Sequence, residues 1–214
     1  MSDDAEETEE STVLAAENID RRADADLARR CVDGDEAAQR ALFEAHKRRV
    51  HYVVYRVLGS NRDIDDTIQE AFLAIFRSLR GYRGEALLAT WIDRICVRVA
   101  LRTLRERPRD RVPALEVVLA DDPSRGPDRR AEAREAARRL YGILDHVEPT
   151  HRAAYALHVI DGRPLREVAE VMDATLIATK LRVWRTRQRV EAAARRDPLL
   201  AMYVGDAPPK GGAS

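Results

Sequence analysis

The chain has 214 residues, room for one medium or two small domains, and it is 45% hydrophobic, 35% charged and only 5% aromatic. Its two cysteines, Cys31 and Cys96, lie far apart with no Cys-x-x-Cys, so a disulfide framework or zinc ribbon is excluded, and no apolar run reaches a membrane span. Lys+Arg and Asp+Glu both number 37, so net charge alone points to no partner.

Ala, Arg, Leu and Glu dominate, which is the palette of helices and not of strands. The expected fold class is all-α: two small helical domains joined by a flexible linker, the C-terminal one a helix-turn-helix. Residues 1–22 open the chain as an acidic tail, with Asp3, Asp4, Glu6, Glu7, Glu9, Glu10, Glu17 and Asp20 and no base before residue 21. Such a composition predicts disorder. It also lacks the apolar core of a secretion signal, so the expected location is the cytoplasm, with no membrane insertion.

A first domain is expected over 23–106. A helical pattern begins at Asp24 and pauses at Asp33-Gly34-Asp35, where Gly34 suits a helix C-terminus and Asp35 an N-cap. The next helix carries Ala38, Leu42, Phe43, His46, Val50, Val53, Val54 and Val57 and ends near Gly59. Asn61 is the expected cap of a third helix. There Ile64, Ile68, Ala71, Phe72, Ile75, Phe76 and Leu79 form one stripe at 100° per residue. Gly81 and Gly84 predict a loop, and a fourth helix runs from about Ala86 to Glu106 before Pro108.

Residues 107–130 contain Pro108, Pro113, Pro123, Gly126 and Pro127 without a sustained period, and read as the linker. The second domain, 131–200, resumes helix near Ala131. Glu148-Pro149 predicts a capped helix with proline in its first turn, stopped at Gly162. A short helix to Met172, a turn at Asp173-Ala174 and a long helix capped by Thr175 follow. Residues 201–214 are expected to be tail.

Three surfaces stand out. On the last long helix, Leu176, Thr179, Val183, Thr186 and Val190 share a face expected to pack inward. Ile177, Leu181, Trp184, Arg185 and Gln188 share the opposite face, flanked by Lys180, Arg187, Arg182 and Arg189. A helix-turn-helix places such a helix in the major groove, with flanking bases on phosphates and Arg185 or Gln188 at base edges. A helical hairpin with a solvated basic face fits that pattern equally well.

On the fourth helix Arg94, Arg98, Arg102 and Arg105 form a basic stripe headed by Trp91. The stripe suits a DNA backbone with one stacked base, though an exposed helix face explains it too. On the third, Asp66, Glu70, Leu73 and Arg77 face outward with Gln69 at the edge, a face that can dock a basic protein. Enzyme chemistry has little support. Glu148-x-x-His151 is a single Glu-x-x-His where a di-metal site needs two, and there is no phosphate loop or nucleophile motif. No enzyme activity, metal or cofactor is expected.

Asp63-Ile-Asp-Asp-Thr-Ile-Gln-Glu-Ala-Phe72, then Tyr82-Arg83-Gly84-Glu85 and Thr90-Trp91-Ile92, resemble the second region of extracytoplasmic-function (ECF) sigma factors, in the sigma-70 family. Glu167-Val168-Ala169 with Lys180, Arg182 and Arg185 resemble their fourth region, and the likeness spans roughly 26–196. It implies a protein that directs transcription initiation with core RNA polymerase. Asp66, Gln69, Glu70 and Leu73 would meet the clamp helices of the largest subunit. Tyr82, Arg83, Trp91, Arg94, Arg98 and Arg102 would take the −10 element. Lys180, Leu181, Arg182, Trp184, Arg185 and Gln188 would read the −35 element of promoter DNA. The polymerase flap and an anti-sigma factor are the other implied partners.

Departures from the family pattern are Thr67 after the acidic pair, Asp173 at the turn glycine, Ile177-Ala178-Thr179 for Gly-Thr-Val, and Leu181 for a common serine. Two alternatives stand beside this reading: a helix-turn-helix regulator independent of polymerase, and a degenerate sigma-like interaction protein.

Overall fold

Helix α1 covers residues 20–32 and turns at Gly34, whose φ of 88° is the left-handed conformation glycine adopts without strain. In this computed structural model residues 20–107 and 127–204 are described; residues 1–19 of the expected acidic tail, and most of the expected linker and C-terminal tail, lie outside them, while residues 20–22, expected to be disordered tail, already belong to α1. Asp35 caps α2 (Glu36–Leu58), accepting from the Ala38 N–H. Gly59, at φ 64°, ends it. Helix α3 is Ile64–Ser78, followed by a 3₁₀ turn at Leu79–Gly81, and α4 is Leu88–Glu106.

Asn61 is not the cap of α3. Asp63 holds that position in the left-handed region (φ 60°) without a side-chain cap bond, and its carboxylate is taken by Arg107 Nε at 3.1 Å.

The amphipathic stripes find one another. Leu42, Val50, Val53, Val54 and Val57 of α2, Ile64, Ala71, Phe72 and Ile75 of α3, and Leu88, Ile92, Ile95, Cys96 and Val99 of α4 are all buried in one cluster. Cys31 and Cys96 are free thiols within it. Burial pushes both thiols up, so they act as small apolar groups. Thr67, where the family pattern is apolar, is also buried; its hydroxyl donates to the Asp63 carbonyl at 2.5 Å, so no polar atom is stranded.

The second half contains α5 (Pro127–Leu144), α6 (Pro149–Tyr155), a π turn at Ala156–Ile160, α7 (Leu165–Val171), α8 (Leu176–Ala194) and α9 (Pro198–Val204). Glu148 caps α6, accepting from the Thr150 and His151 N–H groups. The Glu-x-x-His pattern is therefore a helix cap. The π turn and α9 were not foreseen, and α9 enters the stretch expected to be tail. Among the described residues there is no strand, and no helix is long and apolar enough to cross a membrane.

The two halves meet along α2 and α4. Ala153, Ala154, Leu157, Val168 and Val171 belong to the same apolar cluster as α2–α4. The last carbonyls of α2, which no further turn can satisfy, are met from the other half. Arg152, fully covered, donates Nε to Val57 O at 3.1 Å and Nη2 to Leu58 O, while Nη1 pairs with Asp145. Tyr141 Oη donates to Arg56 O at 3.0 Å, and its ring lies against Gly59.

Candidate nucleic-acid and partner interface

Helix α3 presents Asp66, Gln69, Glu70 and Leu73 to solvent, because the opposite stripe is committed to the core. Leu73 is 47% exposed. Glu70 pairs with Arg102 of α4, so the acidic face and the basic stripe are tied edge to edge.

The segment between α3 and α4 is braced from within. Tyr82 Oη donates to Ala86 O at 2.8 Å, and its ring meets Trp91 edge-on at 5.5 Å. Asp24 of α1 accepts from the Leu88 N–H at 2.7 Å and so caps α4 across 64 residues of sequence. Tyr82 and Trp91 are half-buried, while Arg83, Arg98 and Arg102 are exposed. The structure thus brings Tyr82, Trp91 and the start of the basic stripe together. Arg94 differs from its neighbours: it reaches the second half, donating to the Glu170 carbonyl at 3.2 Å and carboxylate at 3.0 Å.

Helices α7 and α8 are joined by a short turn with Asp173 at φ 50°, left-handed where the family pattern has glycine and reached at modest cost by aspartate. Thr175 caps α8 through the Ala178 N–H. Thr179, Val183, Thr186 and Val190 are buried as their phase predicts. Leu176 is not: in the first turn it stays 42% exposed. The outer face carries Ile177, Leu181, Trp184, Arg185 and Gln188, all exposed, with Lys180 exposed and Arg182 half-buried beside them. Burial, with Arg182, Arg185 and Arg189 adding positive potential, holds His151 below the ordinary imidazole range against the pull of Glu148. That face is electropositive and apolar at once.

Residues 42–110 match the family described as sigma-70 region 2. That stretch is similar to a sigma-70 region 2. The matched stretch runs from Leu42 of α2 past the end of α4, and so contains the outward face of α3, the Tyr82 loop and the basic stripe.

The likeness to whole proteins extends further. Over 176 residues the chain is 27% identical to an ECF RNA polymerase sigma-E factor of Haemophilus influenzae, covering 77% of this chain and 92% of that one. It is 31% identical over 164 residues to the ECF RNA polymerase sigma factor SigE of Mycolicibacterium smegmatis, covering 73% of this chain and 63% of that one. The structure of CnrH in complex with the cytosolic domain of CnrY shares the fold, with a TM-score of 0.57 at 22% identity over 82% of this chain and 99% of that chain. The two relatives named as ECF sigma factors support a sigma-factor role, and the CnrH structure supports the fold.

Residues that the sequence reading passed over lie on the seam between the two halves. Asp93, fully buried in α4, accepts from Arg49 Nε and Nη2 at 2.7 and 2.8 Å and from Arg163 Nη1 at 2.6 Å. Burial opposes the Arg163 charge, but its bonds to Asp93 and Asp161 outweigh burial and raise its pKa. The available signal was a lone acid between Ile92 and Arg94 in a helix apolar on most sides.

Proposed function

We propose that the chain is a sigma factor of the ECF type that joins core RNA polymerase and takes it to a promoter. In this reading the exposed Asp66, Gln69, Glu70 and Leu73 face docks on the clamp helices of the largest subunit. Tyr82, Arg83, Trp91, Arg94, Arg98 and Arg102 capture the −10 element. The observation that carries the proposal is the coincidence of the region 2 match with an exposed acidic face and a braced aromatic loop leading into a basic helix.

Helices α7 and α8 are then the fourth region. Lys180 and Arg182 hold phosphates, and Leu181, Trp184, Arg185 and Gln188 face base edges and thymine methyls of the −35 element. The C-terminal domain would also meet the polymerase flap. The exposed Ile177, Leu181 and Trp184 suit an anti-sigma factor as well, and the related CnrH fold was captured with the cytosolic domain of CnrY. The chain works without cofactor or catalysis of its own.

The test is transcription by purified core polymerase on the DNA upstream of this chain's own gene. Initiation is expected only when the chain is added, and Asp66→Ala/Glu70→Ala should abolish it together with core binding. Absence of core binding by the unaltered chain overturns the proposal.

A further inference from the structure

Helix α1 lies ahead of the stretch that matches sigma-70 region 2, which begins at residue 42, yet it reaches the loop that leads into α4. Helix α4 starts without a cap of its own. Leu87 holds the cap position with a side chain that accepts nothing, and the first helical bond runs from the Trp91 N–H to the Leu87 carbonyl at 3.1 Å. The N–H groups of Leu88, Ala89 and Thr90 therefore have no carbonyl within the helix to meet. Asp24 serves the first of them, its carboxylate accepting from the Leu88 N–H at 2.7 Å, and so sets a negative charge at the positive end of the helix. Asp24 can do this because of its phase on α1. Ala28 and Cys31, four and seven positions on, are buried in the cluster of α2–α4, so all three share the inward face. The Gln39 side chain donates to the Cys31 carbonyl at 3.1 Å and Arg30 pairs with Asp35 at 2.7 Å, which seats α1 against the start of α2.

What Asp24 holds is the frame of the aromatic loop. Leu88 stands one helical turn before Trp91. On its other side Tyr82 Oη closes the loop onto Ala86 O at 2.8 Å, and the Tyr82 ring meets Trp91 edge-on at 5.5 Å. Burial raises the Tyr82 phenol pKa, Asp24 adds to the rise and Arg21 opposes it, so the hydroxyl stays a donor to Ala86. Without the cap the first turn of α4 frays, and the spacing of the two rings is no longer fixed.

We propose that Asp24 is a positioning residue for −10 recognition: it touches no DNA itself, and through the Leu88 N–H it keeps Tyr82 and Trp91 in the register that reads a base. The inference rests on the reading of those two aromatics as −10 contacts. The test is selection by the full chain, bound to core RNA polymerase, from a pool of single-stranded DNA randomised at successive positions. Sequence preference is the readout, because unfolded molecules lower the recovery of DNA and leave the preference of the folded ones unchanged.

The wild-type chain is expected to enrich particular bases, and Trp91→Ala to lose that enrichment. Asp24→Ala should lower enrichment at the same positions on the order of fivefold, the fold-change of a typical lost cap. Asp24→Asn, which keeps an acceptor oxygen in place, should behave as wild type. Asp35→Ala removes a cap of the same chemistry from α2, where Asp35 accepts from the Ala38 N–H at 3.0 Å, and should reduce recovery without altering preference. A wild-type profile for Asp24→Ala overturns the positioning role, and so does equal flattening by Asp35→Ala. A flat profile for Asp24→Asn overturns the cap as its means. If the wild-type chain enriches no base, or Trp91→Ala keeps its profile, the −10 reading of the aromatics is what fails, and the role of Asp24 falls with it.

Discussion

At Gly59 two constraints meet on one residue. Its φ of 64° disfavours any side chain, and a Cβ built there would lie 1.9 Å from Cδ1 of Tyr141, a ring anchored by its hydroxyl to Arg56 O. Gly34 has the same handedness, at φ 88°, but open space around it. Gly34→Ala is therefore expected to cost only the backbone term, about 1–2 kcal/mol. Gly59→Ala should cost that and the displacement of a packed ring, together roughly 3 kcal/mol or more. Urea unfolding of both variants gives the difference, which isolates the contact between α2 and α5; equal losses would mean Tyr141 yields freely. The glycines at both helix ends were legible in sequence as C-terminal signals. The ring that crowds only one of them was not, because Tyr141 is 82 positions away and nothing local announces the pairing.

Helices were the most legible level, since burial follows period wherever a helix has one covered side. Ile64, Ala71, Phe72 and Ile75 of the α3 stripe and the Thr179–Val190 face of α8 are buried as their phase requires, with Ile68 and Phe76 half-buried at the edge of the stripe. Asp35, Glu148 and Thr175 cap as their chemistry dictates. The misses have local causes. Asn61 lost the α3 cap because the chain enters that helix through a left-handed residue at 63, and Leu176 has the right phase but sits in the first turn, where cover is incomplete. The face of α8 that stays open separates two kinds of contact. Arg185, centred on that face, is expected to read a base, so Arg185→Ala in the polymerase complex should cost about 1–3 kcal/mol and relax preference at one −35 position. Arg189, at the flank, is expected to hold phosphate; Arg189→Ala should weaken all sequences alike and lower the salt slope by about 1. Binding to a promoter library varied at the −35 element checks both, and an unchanged sequence profile for Arg185→Ala would count against α8 as the reading helix.

For the whole molecule, the relation between the halves was the least legible feature. The side chains that join them are charged, and nothing in the local pattern pairs Arg49, Asp93, Asp161 and Arg163 with one another. Only the fold reveals that they neutralise one another at a seam, and that Leu157, Val168 and Val171 continue the apolar cluster begun by α2–α4. A shared apolar cluster, with Asp93 and Arg163 paired across it, implies shared unfolding. The two tryptophans offer a direct measure, because Trp91 belongs to α4 in the first half and Trp184 to α8 in the second. In Trp184→Phe the remaining signal reports the first half, and in Trp91→Phe the second. At low salt both urea transitions are expected to coincide with the loss of helical circular dichroism. Raising the salt weakens the exposed pairs of the seam, such as Arg94–Glu170, more than the buried ones, so the two midpoints should then separate by only a small amount. Midpoints already apart at low salt would show that the apolar continuity between the halves carries little of the stability.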